Sequence, residues 1–178
     1  MAPNVIVLGL PRTGTQSIAD ALHLLGYEKV WHMRELHRSG AALWDEWTEL
    51  LRDKQDNKQF HRGRLTKVLQ EYDAITDLPP ALFGPEIIAA VPRANLIVLE
   101  RDEDSWFRSF SSTLWAMHNP TNGKPDTPVF SDEHARALQA SGSPYNEYMF
   151  QNDFLKHGRD FYRRYYSIVR KELEAVEK

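Results

Sequence analysis

Several features that define common protein classes are missing from this 178-residue chain. It contains no cysteine, which excludes disulfide bonds, thiolate zinc sites and thiol nucleophiles. Its formal net charge is −3, which argues against a general nucleic-acid binder, because such a protein needs a basic face to neutralise phosphates. The N-terminal apolar stretch is only as long as one strand, so neither a signal peptide nor a membrane segment is expected. We therefore predict a cytoplasmic protein without nucleic-acid or membrane partners.

The residues that are present indicate an α/β protein. Apolar residues make up 42% of the chain and charged residues 26%, which is typical of a globular domain. Strand-like and helix-like patterns follow in the order strand, helix, strand, helix, helix, strand, helix, strand, helix. This order predicts a doubly wound parallel sheet of about four to five strands flanked by helices. We expect a single domain over residues 1–178, with a lid at 117–148, where Pro, Gly, Asn and Ser interrupt the periodicity.

Periodicity also predicts which positions of each element are buried. The helix from Thr15 to Leu25, stopped by Gly26, is expected to bury Ile18, Ala21, Leu22 and Leu25. Further helices are predicted over residues 81–91 and 150–176, the second with a stripe of Phe154, Phe161, Tyr165, Ile168, Val169 and Leu173. The run at 95–100 has almost no polar alternation, so it is expected to be a strand covered on both faces.

The segment VIVLGLPRTGTQS at residues 5–17 joins a strand-like run to a helix start through a loop with Gly9 and Gly14. Glycines let backbone N–H groups turn inward, and the first turn of the next helix adds unpaired donors, so the loop can bind a phosphate. It is not a Walker A loop, because Gly14 is followed by Thr-Gln rather than by lysine and a hydroxyl residue, and the cation is Arg12. For this segment alone, an ordinary tight turn with an incidental arginine is the alternative.

A second motif lies where the run at 95–100 ends in Arg101, with Ser109 two turns into the following helical segment. A strand-end arginine and a helical serine can converge on one phosphate, because the guanidinium supplies forked charged donors and the hydroxyl a third bond. Taken singly, Arg101 is more typical of a strand-end salt bridge and Ser109 of a solvated helix position.

A third motif is the stretch YDAITDLP at residues 72–79, which places Asp77 at the end of a short predicted strand. Open α/β folds bind ligands at that carboxyl edge of the sheet, and a partly desolvated carboxylate there can act as a general base. The alternative is that Asp77 caps the helix opening at Pro79 and Pro80.

Together the three motifs resemble those of the P-loop sulfotransferases, and PRTGT at residues 11–15 is similar to a divergent branch found in fungi and bacteria. The resemblance implies a P-loop-type fold, the donor 3′-phosphoadenosine 5′-phosphosulfate, its product adenosine 3′,5′-bisphosphate, no metal, and a role in secondary metabolism. It implies transfer of a sulfuryl group to a hydroxyl of a small molecule. The aromatic-rich chain with its long lid suggests an apolar acceptor, and a carboxylate base would work best on a phenol. A homodimer is a further expectation.

The same resemblance implies a role for each site residue. The 5′-phosphate is expected to contact Arg12, Thr13, Gly14, Thr15, Gln16 and Ser17. The 3′-phosphate is expected to contact Arg101 and Ser109. Arg12 would also stabilise the leaving group, and Asp77 would take the acceptor's proton, with His32 and Glu35 as competitors for that role.

The chain departs from the family pattern at three points. Asp77 stands where cytosolic members carry a histidine, Ser17 stands where they carry a tryptophan that stacks on adenine, and the chain stops at Lys178, so its C-terminus is expected to be shortened. Two alternatives therefore stay open. One is a repurposed sulfotransferase-like fold, acting as a biosynthetic lyase, cyclase or binding protein without sulfuryl transfer. The other is a nucleotide-dependent kinase, against which the missing lysine counts.

Overall fold

Four parallel strands form a sheet in the part of the chain that the structure describes. The structure is a computed structural model, and it describes residues 2–35, 41–56, 62–116 and 144–176. The strands are β1 (Val5–Leu8), β2 (Val30–Trp31), β3 (Ala74–Ile75) and β4 (Asn95–Val98). They pair in the order β2-β3-β1-β4, with Ile6 opposite Ile75 on one side and opposite Leu96 on the other. The α/β fold with a parallel sheet, predicted from the sequence, is confirmed.

Helices connect these strands in the predicted order. The α-helices are α1 (Thr15–Leu24), α2 (Ala41–Gln55), α3 (Arg62–Leu69), α4 (Gly84–Ala90), α5 (Glu103–Phe110) and α6 (Phe154–Val176). Short 3₁₀ helices span Met33–Glu35 and Pro80–Phe83, a π-helical turn spans Ser111–Trp115, and residues 144–150 are helical. Within the described ranges, no helix is long and apolar enough to cross a membrane.

Contacts divide the described residues into two units. One contains the residues up to Arg101 together with those from Tyr165 onward, and the other contains Asp102 to Arg164. Most of the predicted lid, residues 117–143, lies outside the described residues, and its last residues begin the helix at 144–150.

The centre of the first unit is β1, whose four residues are all buried. Its continuous apolar run suits a strand that has a neighbour on each side and is covered on both faces. Because β1 lies between β3 and β4, the chain segments that follow β1 and β3 emerge side by side at the carboxyl edge. One connection leads to β2 and the other to β4, in opposite directions, which creates the crevice where open α/β sheets bind ligands.

The predicted buried face of the first helix is partly wrong. The fully buried residues of α1 are Thr15, Ala19 and Leu22, whereas Leu25 is 76% exposed. The helix ends one residue earlier than predicted, and Gly26, with φ +93°, turns the chain away. Leu25 therefore lies beyond the end of the helix and does not share the buried face on which Leu22 lies.

Three other expectations also need correction. Strand β4 is only half-buried and its first residue, Asn95, is exposed, because β4 is an edge strand of the described sheet. The helix predicted at 81–91 is divided into a 3₁₀ turn and α4, since the ring of Pro85 cannot continue the backbone hydrogen bonds of the preceding turn. The last helix begins at Phe154 rather than at 150, and Ile168 in its predicted stripe is 43% exposed.

The second unit has an aromatic core centred on the buried side chain of Phe154. Its ring lies within 5.8 Å, between centroids, of the rings of Trp106, Phe107, Phe110, Trp115 and Phe150. On the surface of this unit Glu103 accepts hydrogen bonds from Arg159 and Arg163. The aromatic residues are mutually packed, as expected for core rather than for ligand contacts.

Candidate functional site

The loop after β1 is shaped by close packing against the end of β4. A Cβ on Gly9 would lie 2.9 Å from Leu99 Cβ and 2.9 Å from Thr13 Oγ1, so any other residue would displace one of these side chains. The N–H of Thr13 donates to Leu10 O at 3.2 Å and its hydroxyl donates to the same oxygen at 2.7 Å, which closes a tight turn. Thr13, predicted as a phosphate contact, thus uses its hydroxyl within the loop.

Arg12 occupies the third position of that turn with a left-handed backbone. Its φ of +73° is the value that type II turns require at this position, where glycine or asparagine is usual. For a residue with a Cβ this conformation costs about 1–2 kcal/mol. The side chain of Arg12 is exposed at the carboxyl edge of the sheet. Strained residues of this kind concentrate at functional sites.

The first turn of α1 offers unpaired backbone donors. Its N-cap is Gly14, which has φ +108° and cannot provide a capping side chain, and no acidic residue lies in the first turn. Gly14, Gln16 and Ser17 are exposed. The helix dipole and the first N–H groups therefore favour an anion here. The amide of Gln16 donates to Asp20 at 3.0 Å, so this side chain turns along the helix rather than towards the loop.

Asp77 follows β3 and is buried, with a left-handed φ of +65°. Neighbouring hydrogen bonds fix this conformation: Thr76 N–H donates to Trp31 O at 3.0 Å, and the indole of Trp31 donates to Leu78 O at 3.0 Å. Backbone oxygens accept the first N–H groups of the following 3₁₀ turn: Ala81 N–H donates to Asp77 O at 3.0 Å, and Leu82 N–H donates to Pro79 O at 2.9 Å. The capping alternative is thus not what the structure shows.

The carboxylate of Asp77 instead contacts His32. His32 Nε2 lies 3.2 Å from Asp77 Oδ2 and 3.4 Å from Thr15 Oγ1, while Nδ1 accepts the backbone N–H of Arg34 at 3.2 Å. An acceptor at Nδ1 assigns the proton of the neutral ring to Nε2. The Nε2–H of His32 therefore lies near both Thr15 Oγ1 and Asp77 Oδ2, and the three side chains form a buried polar cluster.

Burial shifts the pKa values of both partners towards their neutral forms. It raises the pKa of Asp77 from 3.8 to about 6, against the opposing influence of nearby N–H groups, the Thr15 hydroxyl and the Arg12 cation. Burial, followed by the charge of Arg34, lowers the pKa of His32 from 6.5 to about 4. At neutral pH the pair is a neutral imidazole beside an ionised carboxylate. Asp77 Oδ1 has no bond of standard geometry to any described residue.

The other predicted site residues have distinct surroundings. Arg101 belongs to the first unit, and its Nη1 donates to the backbone O of Arg12 at 2.9 Å. Ser109 belongs to the second unit, where its carbonyl oxygen accepts the Thr113 hydroxyl at 2.5 Å. Their convergence on one phosphate stays a prediction. Glu35 ends a 3₁₀ turn, and its side chain lies outside the described residues.

Sequence reasoning missed the contribution of Tyr166 from the last helix. Its buried hydroxyl donates to Leu99 O at 2.5 Å and accepts the N–H of Leu10 at 3.4 Å. It thus joins the ends of β1 and β4 beside the loop. No local pattern marks this tyrosine, because it occupies one more apolar position of an amphipathic helix. Among the described side chains, no group of three or more His, Asp or Glu residues is arranged to hold a metal ion.

Two comparisons with known proteins bear on this site. The model of a protein family described as "Sulfotransferase domain" matches residues 4–177. The chain is also 37% identical over 113 residues to "Ava biosynthesis cluster protein M" of Aspergillus versicolor. That alignment covers 62% of this chain and 43% of the fungal protein, so the chain spans less than half of the length of this relative.

Proposed function

Since this chain belongs to the sulfotransferase family, we propose that it transfers a sulfuryl group from 3′-phosphoadenosine 5′-phosphosulfate to a hydroxyl group of a small molecule. The observation that carries the proposal is the meeting of two elements at one edge of the sheet. These are the phosphate-type loop with its exposed cation and the buried carboxylate after β3. They are close enough for the charge of Arg12 to lower the pKa of Asp77.

The loop suits the phosphosulfate end of this donor. Gly14 leaves open space, since nothing lies within 4 Å of where its Cβ would be, and the N–H groups of the first turn of α1 are uncapped. Arg12 would place its charge where negative charge develops on the leaving phosphate oxygen, and such stabilisation needs no metal. The donor, when bound, supplies an activated sulfuryl group. The family resemblance assigns the 3′-phosphate to Arg101.

Asp77 would accept the proton of the acceptor. Oδ2 of this carboxylate lies 3.2 Å from His32 Nε2, and the side chain follows β3 at the same edge of the sheet as the loop. In the transfer, the acceptor oxygen forms a bond to sulfur while the bond from sulfur to the phosphate oxygen breaks. The bonding electron pair leaves on the phosphate beside Arg12, and the hydroxyl proton moves to Asp77. His32 holds the carboxylate in place and stays neutral.

The pKa of Asp77 favours a phenolic acceptor. A base works best when its pKa is not far from that of the group it deprotonates, and burial raises the pKa of Asp77 to about 6. A phenol, with a pKa of about 10, is closer to this value than an aliphatic alcohol is. We therefore propose an apolar, phenol-bearing acceptor.

Calorimetric titration with adenosine 3′,5′-bisphosphate in the presence of a chelator tests the proposal. Micromolar binding is expected without metal. When 3′-phosphoadenosine 5′-phosphosulfate and a phenolic acceptor are then supplied, mass spectrometry should detect the sulfated phenol. Absence of binding at millimolar concentrations would overturn the donor assignment. Activity that requires magnesium and a nucleoside triphosphate would instead indicate the kinase alternative.

A second candidate is a biosynthetic lyase or cyclase that keeps the fold without sulfuryl transfer. The buried His32–Asp77 pair favours it, because such a pair can accept and return a proton without any donor. The fungal relative is named only for a biosynthesis cluster. If the protein is such a lyase or cyclase, Asp77 variants would lose the lyase or cyclase activity, whereas Arg12 and Arg101 variants would retain it.

A further inference from the structure

Arg101 contacts the phosphate-binding loop directly, through the backbone of Arg12. Its Nη1 donates to Arg12 O at 2.9 Å. The pairing of β1 with β4 brings Arg12 and Arg101 together. The ladder between these strands continues to the bond from Leu99 N–H to Leu8 O at 3.0 Å, so the segments that carry Arg12 and Arg101 leave the sheet side by side. The register of the sheet therefore determines this contact.

The carbonyl that Arg101 binds belongs to the strained residue of the loop. Arg12 has φ +73°, in the turn that the bond from Thr13 N–H to Leu10 O closes. A charged donor makes a stronger hydrogen bond to a carbonyl than a neutral donor does. The bond thus stabilises the left-handed backbone that aims the Arg12 side chain and the N–H groups after it.

We propose that Arg101 is a positioning residue for Arg12. By holding the Leu10–Thr13 turn, it orients Arg12 and the first turn of α1 towards a 5′-phosphate, whether or not the ligand also carries a 3′-phosphate. This inference rests on the proposed function but differs from the role that the resemblance implies. A residue that only bound the 3′-phosphate would not affect ligands that lack it.

The first test compares two nucleotides by calorimetry. Adenosine 5′-phosphate carries only the 5′-phosphate, whereas adenosine 3′,5′-bisphosphate carries both. Arg101→Ala is expected to weaken binding of adenosine 5′-phosphate about tenfold, and Arg101→Lys, which can still donate to the carbonyl, should restore most of it. The control is Arg93→Ala, which removes an exposed arginine at the opposite end of β4 and should change neither affinity. An Arg101→Ala variant with wild-type affinity for adenosine 5′-phosphate would overturn the proposal.

The second test needs no nucleotide. Hydrogen exchange at the amide of Thr13 reports how often the turn opens, and the amides of β1 report global stability. In Arg101→Ala we expect exchange at Thr13 to become at least about tenfold faster, while β1 and the Arg93→Ala control stay unchanged. Unchanged exchange at Thr13 would contradict the positioning role. If exchange responds but the wild type binds neither nucleotide, the donor assignment fails and the positioning of the loop stands.

Discussion

Nε2 of His32 lies 3.2 Å from Oδ2 of Asp77, yet burial moves the pKa values of these two side chains in opposite directions, to about 4 for His32 and about 6 for Asp77. Each side chain is thereby driven towards its neutral form. The two shifts have opposite consequences for stability between about pH 4 and pH 6.5. In the wild type they largely compensate each other, and removing either partner should reveal the other.

The first prediction concerns the pH dependence of stability in Asp77→Asn. Between pH 4 and 6.5, the free energy of unfolding of this variant should rise with pH more steeply than that of the wild type. The remaining His32 has a folded pKa below its unfolded value, so its contribution is complete above pH 6.5 and is lost as pH falls towards 4. The shift of more than two units corresponds to about 3 kcal/mol in the free energy of unfolding. Urea denaturation at several pH values measures it.

The matched variant, His32→Gln, should show the opposite slope. The folded pKa of Asp77 lies above its unfolded value, so its contribution is complete below pH 3.8 and is lost as pH rises through about 6. Stability relative to wild type should therefore fall over this range, again by about 3 kcal/mol. Parallel pH profiles for the two variants would show that the pair is not buried in the way described here.

The second prediction concerns turnover in Asp77→Asn. Asparagine can still accept the bond from His32 Nε2–H through its amide oxygen, but it cannot take a proton. We expect the turnover number to fall by at least about a hundredfold with donor affinity unchanged. At pH 8 the variant should melt no lower than wild type, because Asp77 is ionised at this pH and its raised folded pKa makes the buried charge destabilising. Near-normal turnover in this variant, with loss in His32→Ala or Glu35→Gln, would assign the base to one of those residues.

The third prediction separates the charge of Arg12 from its backbone conformation. Arg12→Ala and Arg12→Gly both remove the cation, so the turnover number should fall at least about tenfold in both. Only glycine relieves the left-handed strain at φ +73°, and Arg12→Gly should therefore be more stable than Arg12→Ala by about 1 kcal/mol. Chemical denaturation and steady-state kinetics measure the two effects. A glycine variant with full turnover would exclude a role for the cation.

The fourth prediction uses two glycines with different surroundings. Gly9→Ala would force a Cβ against Leu99 and Thr13 at 2.9 Å, so it should destabilise the protein by about 1–3 kcal/mol and distort the loop. Gly63 lies exposed in α3 with nothing within 4 Å of a Cβ. Gly63→Ala should stabilise the protein by up to about 1 kcal/mol through helix propensity. Equal effects in urea denaturation would contradict the close packing described for Gly9.

The loop, the order of elements and the parallel sheet could be predicted because their signals are local. A continuous apolar run, glycines and a helix start within residues 5–17 are sufficient to specify a strand, a tight turn and a helix. The burial of Leu25 could not be predicted in this way, because it depends on whether α1 ends before or after this residue.

The chemistry of the site depends on contacts that no single segment contains. Thr15, His32 and Asp77 follow three different strands, and only the order of those strands brings their side chains together. The left-handed backbone of Arg12 is also absent from the sequence signal, because arginine seldom adopts it. Arg101, from another strand end, supplies the bond that compensates for it.

The hydroxyl of Tyr166 accepts the N–H of Leu10 across 156 positions of the chain. During synthesis, β1 and its loop leave the ribosome long before α6 does. The bond between Leu10 and Tyr166 cannot form until α6 has been synthesised. Contacts between such distant positions form slowly, because the chain loses the entropy of closing a long loop before the contact contributes any favourable free energy. We therefore expect the site to be completed late in folding, since a nascent chain that stops short of α6 has the loop without the hydroxyl that bonds to Leu99 O.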